Sequence, residues 1–105
     1  MRKTNLETDL DKALIANKKL FVLFYVSWCP YSQKFLPIYE KTTADTSDPC
    51  ISVVVDDQDD LCEKYSINVY PTVLLFEDGK VATRLDGARG AGLTEGQLKK
   101  LLKVP

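Results

Sequence analysis

Residues 20–26 (Leu20-Phe21-Val22-Leu23-Phe24-Tyr25-Val26) are apolar at every position and offer nothing to turn toward water. A strand with this pattern, instead of alternation, needs cover on both faces, which places it inside a parallel or mixed sheet. Upstream, Leu6, Leu10, Ala13 and Leu14 recur at helical spacing with Asp9, Asp11 and Lys12 between them, predicting an amphipathic helix over about residues 5–17 that closes near Asn17. From Pro30 onward Phe35, Ile38, Tyr39 and Thr42 again have helical spacing, and Pro37 inside that helix deletes one ladder hydrogen bond, so a bend is expected there. Ser47-Asp48-Pro49 breaks the chain, and Ile51-Ser52-Val53-Val54-Val55 reads as a second buried strand, parallel to the first across the helical crossover. Asp56 to Asp60 opens a short helix through Tyr65. Val73 to Phe76, the turn Glu77-Asp78-Gly79-Lys80 and Val81 to Leu85 form a hairpin. Thr94-Glu95-Gly96-Gln97 is a capping box, opening a last helix with a buried stripe of Leu98, Leu101 and Leu102. The pattern is α/β, with one mixed sheet of about four strands and helices on both faces.

At 105 residues the chain suits a single domain spanning 1–105, with enough length for a true core. Its charges nearly cancel at net −1, which argues against a nucleic-acid partner. The longest apolar run falls far short of the ~18 residues of a membrane span, and Met1-Arg2-Lys3-Thr4 is not followed by a signal-like apolar segment. Cys29, Cys50 and Cys62 form an odd, sparse set, unlike the dense frameworks of small secreted domains. The expectation is a cytoplasmic monomer with no membrane partner. No histidine is present, which excludes His-based dyads, His-containing zinc sites and haem ligation by His, and no Cys-x-x-Cys pair seeds a metal site.

Chemistry is concentrated where the first strand gives way to the second helix, at Trp28-Cys29-Pro30-Tyr31-Ser32. With Pro30 as the first helical residue, Cys29 takes the cap position and its sulfur is expected to face the unpaired N–H groups of Tyr31 and Ser32. Those donors and the positive helix end favour thiolate over thiol, and an exposed thiolate is what disulfide exchange needs. The plainer reading makes Cys29 a small core residue and Trp28 a core filler. Downstream, Tyr70-Pro71-Thr72 enters the third strand, where a trans proline opening an edge strand and a cis proline both fit the residues.

Around these two segments stand Pro37, Tyr65-Ser66-Ile67, Phe76-Glu77-Asp78-Gly79, Asp86-Gly87-Ala88 and Leu93-Thr94-Glu95-Gly96-Gln97-Leu98. In this order, the chain resembles the thioredoxin family over nearly its whole length. The resemblance implies a thioredoxin fold and thiol-disulfide exchange through Cys29, with no cofactor and no metal. It implies a cis bond before Pro71, which leaves the Tyr70 backbone free to pair with an extended substrate. Trp28, Pro30, Tyr31, Tyr70, Pro71, Thr72 and Gly87 would bind that substrate. The implied partners are disulfide-bearing proteins and, as electron donor, a thioredoxin reductase or a low-molecular-weight thiol. Thioredoxins usually carry one more strand before the first helix. Here only residues 2–5 are available, so that strand is expected to be stunted or absent.

Three positions depart from the family pattern. Ser32 stands where the resolving cysteine belongs, and a hydroxyl cannot form S–S, so release of product would need an outside thiol. Leu23 replaces a buried acid and Ser52 a lysine often set against it. An engineered trap would explain Ser32 but neither of the other two. Cys50, at the far end of its strand, is out of reach of Cys29, and Cys62, beside Leu61 and Tyr65, reads as a core residue. The acidic run Asp56, Asp57, Asp59 and Asp60 reads as a solvated helix start that could also steer basic substrates. Arg89-Gly90-Ala91-Gly92 is an insertion whose glycines suggest a mobile loop. Two other functions fit: a non-catalytic peptide-binding module, and glutathione-dependent chemistry like that of monothiol glutaredoxins, which Cys29-Pro30-Tyr31-Ser32 resembles.

Overall fold

The computed structural model describes residues 6–88 and 91–104. Its elements run α1 (Leu6–Ala16), β1 (Lys19–Tyr25), α2 (Pro30–Thr43), β2 (Cys50–Val54), α3 (Asp59–Lys64), β3 (Thr72–Glu77), β4 (Lys80–Asp86) and α4 (Glu95–Leu102). Among the described residues the strands form one mixed sheet in the order β2-β1-β3-β4. β1 is parallel to β2 and antiparallel to β3, and β4 is antiparallel to β3. The expected N-terminal strand, at residues 2–5, lies outside the described residues.

The unbroken apolar run of β1 follows from its place in this sheet. Leu20, Val22 and Phe24 belong to a core shared with Leu10 and Leu14 of α1 and Leu61 of α3. Phe21 and Leu23 belong to the opposite core, with Phe35 and Tyr39 of α2 and Leu98 and Leu102 of α4. Both faces are covered, so neither set of side chains needs to be polar. Tyr39 ties α2 to the sheet, its hydroxyl donating to the carbonyl oxygens of Ile51 at 2.8 Å and Phe21 at 3.3 Å.

Local chemistry sets the boundaries. Pro37 sits inside α2 with its ring exposed, and the helix continues past it to Thr43. The hairpin between β3 and β4 turns on Asp78 and Gly79, whose φ values of 54° and 81° are the positive pair that a two-residue type I′ turn requires. At α4 the Thr94 hydroxyl accepts from the Gln97 N–H while the Gln97 side chain accepts from the Thr94 N–H, a complete capping box.

One helix differs from expectation. The segment 56–60 does not open α3, which begins at Asp59 with Gln58 as its cap. Asp57 has φ 57°, which no helix residue adopts, and the Gln58 N–H instead closes a turn onto the Val55 carbonyl at 3.0 Å. Asp56 and Asp57 therefore belong to the loop at the carboxyl end of β2.

Two measurements check this account. Thr94→Ala removes one partner of the capping box and should lower unfolding free energy by about 1 kcal/mol in urea titrations, with the slope unchanged. Alkali should destabilise the fold. Burial, and then the charge of Asp48, pushes the Cys50 thiol up to about 11, and burial raises the Tyr39 phenol further above its ordinary range. A folded-state pKa raised above the unfolded one contributes stability that is complete below the unfolded value, about 8.5 for a thiol, and is lost as pH climbs toward the folded value. Stability should thus change little from pH 6 to 8 and fall from about pH 9. Cys50→Ala should delay the onset of that fall, leaving the part due to the tyrosines.

Candidate functional site

The site is assembled by the carboxyl end of β1, the first turn of α2 and the segment leading into β3. Cys29 is the N-cap of α2, with extended backbone (φ −85°, ψ 121°), and Pro30 is the first helical residue. Pro belongs there because that N–H would have no helical partner in any case. The Gln33 N–H closes the first helical bond onto the Cys29 carbonyl at 3.0 Å, and the Cys29 N–H donates to the Val26 carbonyl at 3.4 Å.

Two expectations about the sulfur need correction. No cap hydrogen bond forms between the Cys29 side chain and the helix amides. Nor is the residue freely exposed: it is 9% accessible and joins the core cluster that contains Val26, Val55 and Leu61. Packed into that cluster, the residue leaves only a narrow margin to solvent.

Around Cys29 the other predicted residues take distinct places. Trp28 is 70% exposed, and Pro30 and Tyr31 are exposed as well. Ser32 is fully buried, its Oγ accepting from the Val26 N–H at 3.4 Å. The register sets Thr72 beside Phe24, so Pro71 lies alongside the end of β1 from which the Cys29 loop departs. The Tyr70-Pro71 peptide is cis. Tyr70 packs against the same core cluster as Cys29, and buried Thr72 donates from its hydroxyl to the Val69 carbonyl at 2.8 Å.

Gly87 is buried against this segment. A Cβ there would come within 2.6 Å of the Pro71 carbonyl oxygen and 3.3 Å of that of Tyr70, closer than backbone can yield. Arg89 and Gly90 lie outside the described residues, but Ala88 and Gly92 form a bridge, with Ala88 N–H to Gly92 O at 2.9 Å and Gly92 N–H to Ala88 O at 2.8 Å. Gly92, at φ 69°, sits under Tyr31, where a Cβ would meet the Tyr31 Cβ at 3.0 Å. That close approach sets Gly92 against the first turn of α2.

The two remaining thiols are placed apart from Cys29. Cys50 pairs with Phe21 in the parallel register, at the end of β1 opposite the Cys29 loop. Cys62 is half-buried, not a full core residue, and its sulfur lies 3.4 Å from the Tyr70 hydroxyl. Burial, and then that contact, pushes the Tyr70 phenol up to about 12. Leu23 and Ser52 are register partners, the first fully buried and the second exposed, so two of the three positions that depart from the family pattern are neighbours. Among the described residues no group of Cys, Asp and Glu side chains is placed to hold a metal ion, and no helix is long and apolar enough to cross a membrane.

Sequence reasoning missed two participants. The Asp56 carboxylate accepts from the Ser27 N–H at 2.9 Å and from the Ser27 hydroxyl, and the Gln33 side-chain amide donates to the Ser27 carbonyl at 2.7 Å. The Gln33 contact was open to a helical-spacing argument. Asp56 lies 29 residues from Ser27, and nothing local signals it.

The thioredoxin family profile matches residues 1–101. The chain is 35% identical to a thioredoxin of Mycoplasmoides gallisepticum over 98% of its own length and all of that protein's. It is also 35% identical to protein disulfide-isomerase 1 of Dictyostelium discoideum, over 77% of this chain but only 24% of that longer protein. Among solved structures, the thioredoxins of Plasmodium falciparum and Fasciola hepatica superpose with TM-scores of 0.80 at 25% and 26% identity, in each case over 92% of this chain and 91% of the other. With its four-stranded mixed sheet, its cysteine at the start of α2 and a family match across nearly all its residues, the chain belongs to the thioredoxin family.

Proposed function

We propose that the protein is a thiol-disulfide oxidoreductase that acts on protein disulfides through Cys29. The observation that carries this reading is the placement of Cys29 as N-cap of α2, at the end of the sheet where Tyr70-Pro71-Thr72 enters β3. In the exchange, the Cys29 thiolate attacks one sulfur of the substrate disulfide. A new S–S bond joins Cys29 to that sulfur, and the other substrate sulfur leaves as thiolate with the bonding pair. Because Ser32 cannot repeat this attack, an external thiolate, from a small thiol or a protein donor, must displace the substrate. That second exchange leaves Cys29 reduced and the external sulfur in disulfide linkage. Three free cysteines in an odd set support a reducing, cytoplasmic setting.

The recess of Cys29 beside a widely exposed Trp28 favours a second reading, in which the surface binds extended peptide and the thiol is incidental. The two separate cleanly. Under the first, an oxidised protein should form a stoichiometric adduct at Cys29, seen by mass spectrometry, with turnover only when external thiol is added; Cys29→Ser should abolish the adduct, while Cys50→Ala and Cys62→Ala retain it. No adduct near neutral pH, with partner affinity intact in Cys29→Ser, would establish the second. Turnover that glutathione supports and other small thiols of similar reactivity do not would point instead to glutaredoxin-like chemistry. Ser32→Cys should confer reduction of protein disulfides driven by a thioredoxin reductase.

A further inference from the structure

Four residues link β1 to α2, and their backbone is held from several directions. The Val26 N–H goes to Ser32 Oγ, the Val26 carbonyl accepts from Cys29, and the Cys29 carbonyl accepts from Gln33. Ser27 is bound on both sides: its N–H and hydroxyl both donate to Asp56, and its carbonyl accepts from the Gln33 side chain. Asp56 is itself fixed, because the preceding Val55 N–H extends the β1–β2 pairing onto the Tyr25 carbonyl at 2.8 Å. Gln33 is fixed by its backbone bond to Cys29. The loop after β2 and the first turn of α2 thus converge on one exposed serine.

Trp28 follows directly, and at 70% exposure it has little packing to orient it. Hydrogen bonds to a carboxylate are the strong kind, so the clamp on Ser27 is the strongest of the bonds that set the backbone path through Trp28 to the sulfur. We propose that Asp56 and Gln33 are positioning residues for exchange at Cys29, acting through Ser27 to hold Trp28 and the recessed sulfur in the arrangement an extended protein substrate meets. This rests on the exchange activity proposed above. A small flexible disulfide can adjust to a loosened loop, whereas a folded substrate docking along Trp28 requires the loop to be set beforehand.

The test compares capture of insulin, a protein disulfide, with capture of hydroxyethyl disulfide, a small uncharged one, both quantified at Cys29 by mass spectrometry. Trp28 is the sole tryptophan, so its fluorescence anisotropy reports loop mobility independently of reactivity. Asp56→Ala and Gln33→Ala should each slow insulin capture about tenfold and hydroxyethyl disulfide by no more than about twofold, with lower anisotropy, in keeping with what small misplacement of a reacting group costs. Asp56→Asn, whose amide oxygen still accepts from the Ser27 N–H, should recover most of the insulin rate. Glu63→Gln, an equal loss of charge on α3, should change neither rate. Equal slowing toward both disulfides, or unaltered insulin capture in both alanine variants, would overturn the proposal. A wild-type protein inert toward both would overturn the exchange activity itself, and with it any positioning role.

Discussion

β1 is buried on both faces and hydrogen-bonded along both edges, by β2 on one side and β3 on the other. A strand so enclosed has no freedom in register, since a slip of one residue would exchange the two sets of apolar side chains between cores built to different shapes. Its carboxyl end is therefore a fixed point, and parallel pairing with β2 obliges the chain to leave that end through a crossover helix. Cys29 stands where that helix begins. The same register carries Pro71 alongside the end of β1, so thiol and proline segment owe their shared location to one buried strand.

The surroundings of Cys29 are held by contacts of several kinds, and few of them involve the sulfur. Backbone crowding fixes Gly87 against Pro71, the Tyr31 side chain fixes Gly92 by close approach, and charge-assisted bonds to Asp56 fix Ser27. The thiol sits in a frame defined by its neighbours' main chain. This accounts for a recessed cysteine in a loop whose side chains are otherwise mostly exposed.

Much of this was legible in the sequence because it depends on local chemistry. The apolar run of β1, Pro30 after Cys29, the Asp78-Gly79 turn and the Thr94 to Gln97 capping box each announce their structure within a few residues. What escaped depends on tertiary placement. The accessibility of Cys29 is decided by what packs beside its cap, not by the cap. The Asp56 to Ser27 bond joins distant residues, and α3 starts late because Asp57 takes a positive φ that a run of aspartates does not reveal. Nor does the sequence reveal that Gly92 serves a close approach to Tyr31. The register shift between Leu75 and Phe76 in the hairpin likewise had no signature in the unbroken apolar run of β3.

Ser32 offers one last lesson. Its hydroxyl is not an idle stand-in for sulfur, since it lies in the interior and takes up the Val26 N–H. A thiol in that spot would be bulkier and a weaker acceptor. A lineage acquiring the second cysteine would gain internal release of its product while slackening the tether between strand and helix, so chemical autonomy and architectural firmness pull against each other at a single atom.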